Sequence, residues 1–262
     1  MRVPKTLPIV VLAVLALVGL ATPASAAVGK YVALGDSYSS GLGAGSYGSS
    51  GSCKRSANAY PQLWANSHAP SAFTFAACSG AVTQDVLNGQ VGSVTSDTAL
   101  VTISIGGNDA GFANVMTECN LSSDSACVSR NQTAQNFART TLPGRLDSVY
   151  RAIRDRAPSA RVVVLGYPRI YKTSGSCVVG LSETKRAAIN QSSDVLATVT
   201  SARAAAFGFT FVDTRTTFTN HEICAASTRW LNSITWPVEE SYHPNTTGQN
   251  SGYYAALRAV TG

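Results

Sequence analysis

The sequence predicts an α/β protein, a three-layer α/β/α sandwich around a five-stranded, mainly parallel sheet. Three observations carry this. Five short runs, 31–34, 73–76, 100–105, 162–165 and 209–212, are continuously apolar and rich in β-branched residues, as strands buried on both faces must be. Helix-like stretches alternate with them, which implies right-handed crossovers and a doubly wound sheet. Finally, Asp36-Ser37, Ser79-Gly80 and Asn108-Asp109 each follow a run, at the edge where such sheets bind ligands.

Taken in order, the chain opens with Met-Arg-Val-Pro-Lys, an apolar segment from Leu7 to Leu20, and Ala24-Ser25-Ala26. A charged start, a short hydrophobic core and a small-x-small site read as a secretory signal over residues 1–26; the apolar run falls short of the roughly 20 residues that span a bilayer. Removing it leaves 236 of the 262 residues, a length that suits one domain over 27–262. The first strand, Tyr31–Leu34, runs into Gly35-Asp36-Ser37, where a serine is displayed rather than packed. The Gly/Ser stretch 39–52 is expected as a mobile surface loop bordering the site.

Phe73–Ala76 and Leu100–Ile105 lead to the Gly80 and Asn108 turns. Residues Asn131–Ala157 carry Phe137, Leu142, Leu146, Val149 and Ile153 at helical spacing, with a break or kink expected at Pro143-Gly144. Arginines 130, 139, 145, 151, 154, 156 and 161 fall on the solvated faces of that helix and the next strand, without the aromatic interleaving of a nucleic-acid surface. Without residues 1–26, 18 basic side chains stand against 14 acidic ones, a net charge of +4, enough for a weak preference for anionic interfaces. Ser182 opens a helix to about Ala206, Phe209–Val212 forms the fifth strand, and a last helix capped by Asn245 or Thr246 runs toward Val260.

Six cysteines, 53, 78, 119, 127, 177 and 224, in a chain with an export signal imply disulfides. Cys119 and Cys127 flank a polar loop and are natural partners; the sequence alone leaves the other pairings open. No Cys-x-x-Cys pair suggests zinc. Gly41-Leu-Gly-Ala-Gly45 is not a dinucleotide loop, because Ser46 stands where the third glycine of that spacing belongs.

A serine hydroxyl is a poor nucleophile without a base in reach. His68 and His221 lie in polar segments expected to be exposed loops, whereas His243 is fixed by Pro244-Asn245 just ahead of a helix start. Gly80 and Asn108, with the Ser37 main-chain N–H, can supply oxyanion donors. Asp36 and Asp109 point away from their neighbours Ser37 and Asn108 and are expected to brace the turns that present them.

Gly-Asp-Ser37 near the start, Gly80, Gly-Gly-Asn108-Asp in the middle and the late His243-Pro-Asn resemble the SGNH family, also called GDSL hydrolases, over nearly the whole chain beyond the signal. The resemblance implies a flavodoxin-like SGNH fold and a secreted serine ester hydrolase similar to actinobacterial lipases and phospholipases A1. Ser37 would be the nucleophile, His243 the base, and Ser37, Gly80 and Asn108 the oxyanion hole, with no metal or organic cofactor. It also implies the pairs Cys53–Cys78 and Cys177–Cys224. The family often has aspartate three residues before the histidine; here Glu240 stands there, so either its carboxylate or the Ser241 carbonyl orients the ring. The expected partner is a lipid or other small-molecule ester, met by a monomer in transient contact with a lipid interface and not with nucleic acid. A carbohydrate acetylesterase and a catalytically silent surface-binding protein are the rival readings.

Overall fold

A computed structural model describes residue 1, residues 29–175, residue 177 and residues 180–262. The expected signal, apart from Met1, lies outside the described residues. The strands are β1 (Lys30–Gly35), β2 (Phe73–Phe75), β3 (Thr98–Ser104), β4 (Arg161–Leu165) and β5 (Thr210–Val212). They pair in the order β2-β1-β3-β4-β5, and every pairing is parallel. Short helices α1 (Ser37–Ser40), α2 (Tyr60–His68) and α3 (Thr83–Asp85) precede β3, and α4 (Phe112–Leu121), α5 (Asp124–Thr140) and α6 (Leu142–Arg156) follow it. Beyond β4 come α7 (Glu183–Ala206), α8 (Thr214–Thr217) after β5, and α9 (Ala255–Thr261). Among the described residues no helix is long and apolar enough to cross a membrane.

Alternation along each strand divides the core between two faces. Val32, Leu34, Val101, Ile103, Val162 and Val164 pack with Leu142, Leu146, Val149 and Ile153 of α6. Tyr31, Ala33, Leu100, Val163 and Leu165 belong to the opposite layer, with Trp64 of α2, Val115 of α4 and Leu257 of α9. Both faces of the three central strands are therefore largely dry, which is why they read as mainly apolar runs, while the edge strands β2 and β5 are half-buried.

The connections depart from expectation in four places. The stretch 131–157 is broken just ahead of Pro143, as expected, but its first helix begins earlier than 131: α5 starts at a Ser123 cap whose hydroxyl accepts from the Ala126 N–H at 3.3 Å, and ends at Thr140. Pro143 then sits in the first turn of α6, where its missing N–H costs nothing. Second, Cys119 and Cys127 lie on α4 and α5, both fully buried, so only a short link separates those helices. Third, the Gly/Ser stretch 39–52 is not a surface loop throughout, since Ser39, Ser40, Leu42 and Ala44 are buried. Fourth, His68 and His221 are half-buried rather than free, each stacked on a tryptophan, His68 on Trp64 at 4.2 Å and His221 on Trp230 at 3.7 Å. Disulfides join Cys53 to Cys78, Cys119 to Cys127 and Cys177 to Cys224. Asn245 accepts from the Gly248 N–H at 3.0 Å and caps a wide-turned segment, Gly248–Tyr254, that leads into α9.

Candidate active site

At the carboxyl end of β1, Gly35 has φ +122, and a Cβ there would lie 2.4 Å from the Ser104 carbonyl oxygen. Only glycine lets β1 and β3 approach so closely where the chain turns. Asp36 caps α1 by accepting from the Tyr38 N–H at 3.0 Å, which leaves Ser37 as the first residue of the helix. Ser37 is 6% exposed. Its hydroxyl therefore opens into a cleft and not to bulk water, a correction to the displayed serine read from the sequence.

His243 closes on it from the far end of the chain. Its Nε2 lies 2.8 Å from Ser37 Oγ, and its Nδ1 lies 2.9 Å from the Ser241 carbonyl oxygen. A carbonyl can only accept, so Nδ1 carries the proton and Nε2 is the free base that accepts from Ser37. Burial, with the rings of Tyr38 at 5.1 Å and Phe112 at 6.3 Å, holds the His243 pKa down at about 4, against the opposing pull of the Ser241 and Glu239 main chain. The imidazole is thus neutral at ordinary pH and ready to take a proton.

Of the two proposed orienters, the structure brings the Ser241 carbonyl to the ring, while Glu240 is engaged elsewhere. Tyr47 donates its hydroxyl to Glu240 Oε1 at 2.6 Å and accepts from the Gly43 N–H at 2.9 Å, tying the glycine-rich stretch to the histidine turn. The turn itself is held by Asn232, which the sequence did not single out. Its main chain pairs with Tyr242 and His243, and its amide donates to the Gly43 carbonyl at 3.0 Å. Tyr242 adopts φ +66, a conformation rare outside glycine, and Tyr38 donates to its carbonyl at 2.8 Å.

Gly80 and Asn108 lie beside Ser37 around one cleft. A Cβ on Gly80 would meet nothing within 4 Å, so glycine is required there by its φ of +82 and not by crowding. Asn108 Nδ2 donates to the Ala81 carbonyl at 3.0 Å, which fixes the amide and leaves its second N–H for another acceptor. The two aspartates brace turns, as expected, but across elements and not only locally. Asp109, its side chain fully buried, accepts from the Thr83 N–H at 2.9 Å and the Thr83 hydroxyl at 2.6 Å, and so fastens the Asn108 turn to the segment after Gly80. Asp36 accepts from the Tyr167 hydroxyl at 2.5 Å, and the same hydroxyl accepts from the Gly107 N–H at 3.1 Å. Tyr167 thereby couples the turn of Ser37 to the turn of Asn108. Burial raises Asp36 to a pKa of about 7, with the bonds from Tyr167 and Tyr38 acting against that rise.

The cleft has a volume of about 500 Å³, with Ser37, His243 and Asn108 at one end and Phe112, Met116 and Leu121 along its wall. Among the described residues from 29 onward, Leu121, Ile234, Trp236 and Val238 are the large apolar side chains that stand exposed, and all but Trp236 line this cleft. A nucleophile, a neutral base and aimed donors in a partly dry cleft are the parts needed for acyl transfer.

The model of the GDSL-like lipase/acylhydrolase family matches residues 33–250. The chain is 60% identical over 250 residues to Lipase 1 of Streptomyces coelicolor, covering 94% of this chain and 92% of that protein. The crystal structure of the extracellular lipase from Streptomyces rimosus superposes with a TM-score of 0.87 at 58% identity, over 89% of this chain and all of the other. That of phospholipase A1 from Streptomyces albidoflavus gives 0.87 at 56% identity, over 89% of this chain and 99% of the other.

Proposed function

The chain belongs to the GDSL-like lipase/acylhydrolase family, and on that premise we propose that it is an exported serine hydrolase that cleaves fatty-acyl esters of lipids or phospholipids. The observation that carries the reading is the pair of bonds at His243, 2.8 Å to Ser37 Oγ and 2.9 Å to the Ser241 carbonyl. Ser37 Oγ attacks the ester carbonyl as His243 Nε2 removes its proton. The negative charge that develops on the carbonyl oxygen is met by the N–H groups of Ser37 and Gly80 and the free N–H of Asn108. His243 then gives its proton to the leaving alcohol, and water, deprotonated by the same nitrogen, releases the acid from Ser37. A main-chain carbonyl suffices to fix the tautomer, though it stabilises imidazolium less than a carboxylate does. The cycle uses protein groups and water alone, with no metal or organic cofactor.

An acyl chain fits the apolar wall of Phe112, Met116 and Leu121, and the exposed Ile234 and Val238 that line the cleft, with the exposed Trp236 between them in the chain, suit transient contact with a lipid interface by a monomer. Relatives named lipase and phospholipase A1 support this substrate class. Export of one catalytic domain, residues 27–262, behind a signal at 1–26 is supported by the three disulfides and by the extracellular relative. The test is a panel of p-nitrophenyl esters, acylglycerols and phospholipids, with products resolved by mass spectrometry. Octanoyl and longer esters are expected to be preferred, and Ser37→Ala should abolish turnover of every substrate. Turnover confined to acetyl esters would reject the lipid reading in favour of an acetylesterase.

A further inference from the structure

A second cleft, of about 550 Å³, meets the first at Ser79 and Gly80, which line both. Its character is different. Where the first is walled by Phe112, Met116 and Leu121, the second presents Arg55, Asp85, Asn88 and Gln90 beside the Cys53–Cys78 disulfide. A tetrahedral centre on Ser37 carries two groups besides the oxyanion, and they must leave by different routes. The apolar cleft suits the acyl chain. The polar cleft, which shares Gly80 with the reaction site, is then the route for the alcohol half of the ester.

Arg55 marks what that alcohol carries. The residue is half-buried, and its Nε donates to the Ala77 carbonyl at 2.9 Å, which anchors the guanidinium against the chain just before Gly80. Among the described residues no carboxylate lies within 4.0 Å of it, and it is the one arginine that lines this cleft. Asp85, the carboxylate in this cleft, accepts from the Val82 N–H at 2.9 Å. A positioned guanidinium with an unmatched charge and a free edge of N–H donors is the group that binds a phosphate through paired hydrogen bonds. We infer that the polar cleft is a head-group subsite in which Arg55 binds the phosphate of a phosphate-bearing leaving alcohol, so that phospholipids are favoured over acylglycerols of equal chain length. The inference rests on the hydrolase reading above.

The test uses the full chain and monomeric substrates below their micelle concentrations, which removes interface effects. The ratio of kcat/KM for dihexanoylphosphatidylcholine to that for dihexanoylglycerol is measured in wild type, Arg55→Gln and Arg55→Lys. Loss of a charge-assisted pair of hydrogen bonds predicts a fall of about 10- to 100-fold in that ratio for Arg55→Gln, with Arg55→Lys in between. An unchanged ratio, with both substrates unaffected or both falling together, overturns the inference. In a second arm, glycerol 3-phosphate should inhibit p-nitrophenyl hexanoate hydrolysis in wild type much better than inorganic phosphate does. Equal inhibition by the two would mean a free-anion site and also overturn it. The two readings fail separately, because p-nitrophenyl hexanoate turnover that survives Ser37→Ala counts against the hydrolase and not against Arg55.

Discussion

Replacing Tyr167 by phenylalanine removes one oxygen and, with it, the bridge between the two turns that hold the site. That oxygen donates to Asp36 at 2.5 Å and accepts from Gly107 at 3.1 Å, and both partners are buried. The ring stays in place, so the change isolates the hydrogen bonds. Leaving a buried donor or acceptor unpaired costs about 1–3 kcal/mol, so two of them put the loss of stability at about 2–6 kcal/mol. In a domain of this size each kcal/mol moves the melting temperature by roughly 2–4 °C, which predicts a fall of roughly 4–24 °C by calorimetry. Activity should fall as well. With the Ser37 and Asn108 turns uncoupled, a small displacement of nucleophile from oxyanion donor is expected to lower kcat about 10-fold or more, with KM nearly unchanged because the acyl cleft is untouched. A Tyr167→Phe protein with wild-type melting temperature and wild-type kcat would refute the coupling.

The remaining predictions concern the donors, the orienter and the base. Asn108→Ala should lower kcat by about 10²- to 10³-fold with little change in KM, as for loss of one oxyanion donor; a pure KM effect would make Asn108 a ground-state contact. Glu240→Gln should cost less than about tenfold in kcat, because the Ser241 carbonyl survives it; a loss near 10⁴, as for a triad aspartate, would instead place the carboxylate on His243. His243 has its folded pKa lowered to about 4, so the neutral base persists through pH 5–6 and kcat/KM should decline only as pH falls through about 4. An acid limb near 7 would assign control to Asp36, whose pKa burial raises to about 7.

The sheet was legible in the sequence chiefly through its three central strands, which are largely dry on both faces, so that 31–34, 100–105 and 162–165 appear as mainly apolar runs that each end at a glycine. That pattern also places Ser37, Gly80 and Asn108 at one edge of the sheet. The residues that tie those turns together were not legible. Tyr167 shows only as the residue after Leu165-Gly166 at a strand end, and nothing local signals a bond to Asp36 across 131 positions of chain. Asn232 was silent for the same reason, since it acts on His243 through main-chain pairing. The helix α4 was missed because its mixed composition, Phe112–Leu121, has little polar contrast between its faces. The orienter remained a choice between two residues because glutamate and a carbonyl one position apart differ only in where the turn aims them. In the structure the Ser241 carbonyl lies 2.9 Å from His243 Nδ1, and Tyr47 engages Glu240 at 2.6 Å.

The central claim is that Ser37 is a nucleophile activated by His243. An alkyl fluorophosphonate, which reacts only with an activated serine, tests it most directly when the modified protein is digested and mapped by mass spectrometry. The account predicts a single adduct on Ser37, forming as esterase activity disappears, and greatly slowed in His243→Ala. Complete inactivation with the adduct on another residue, or full activity with Ser37 modified, would contradict it.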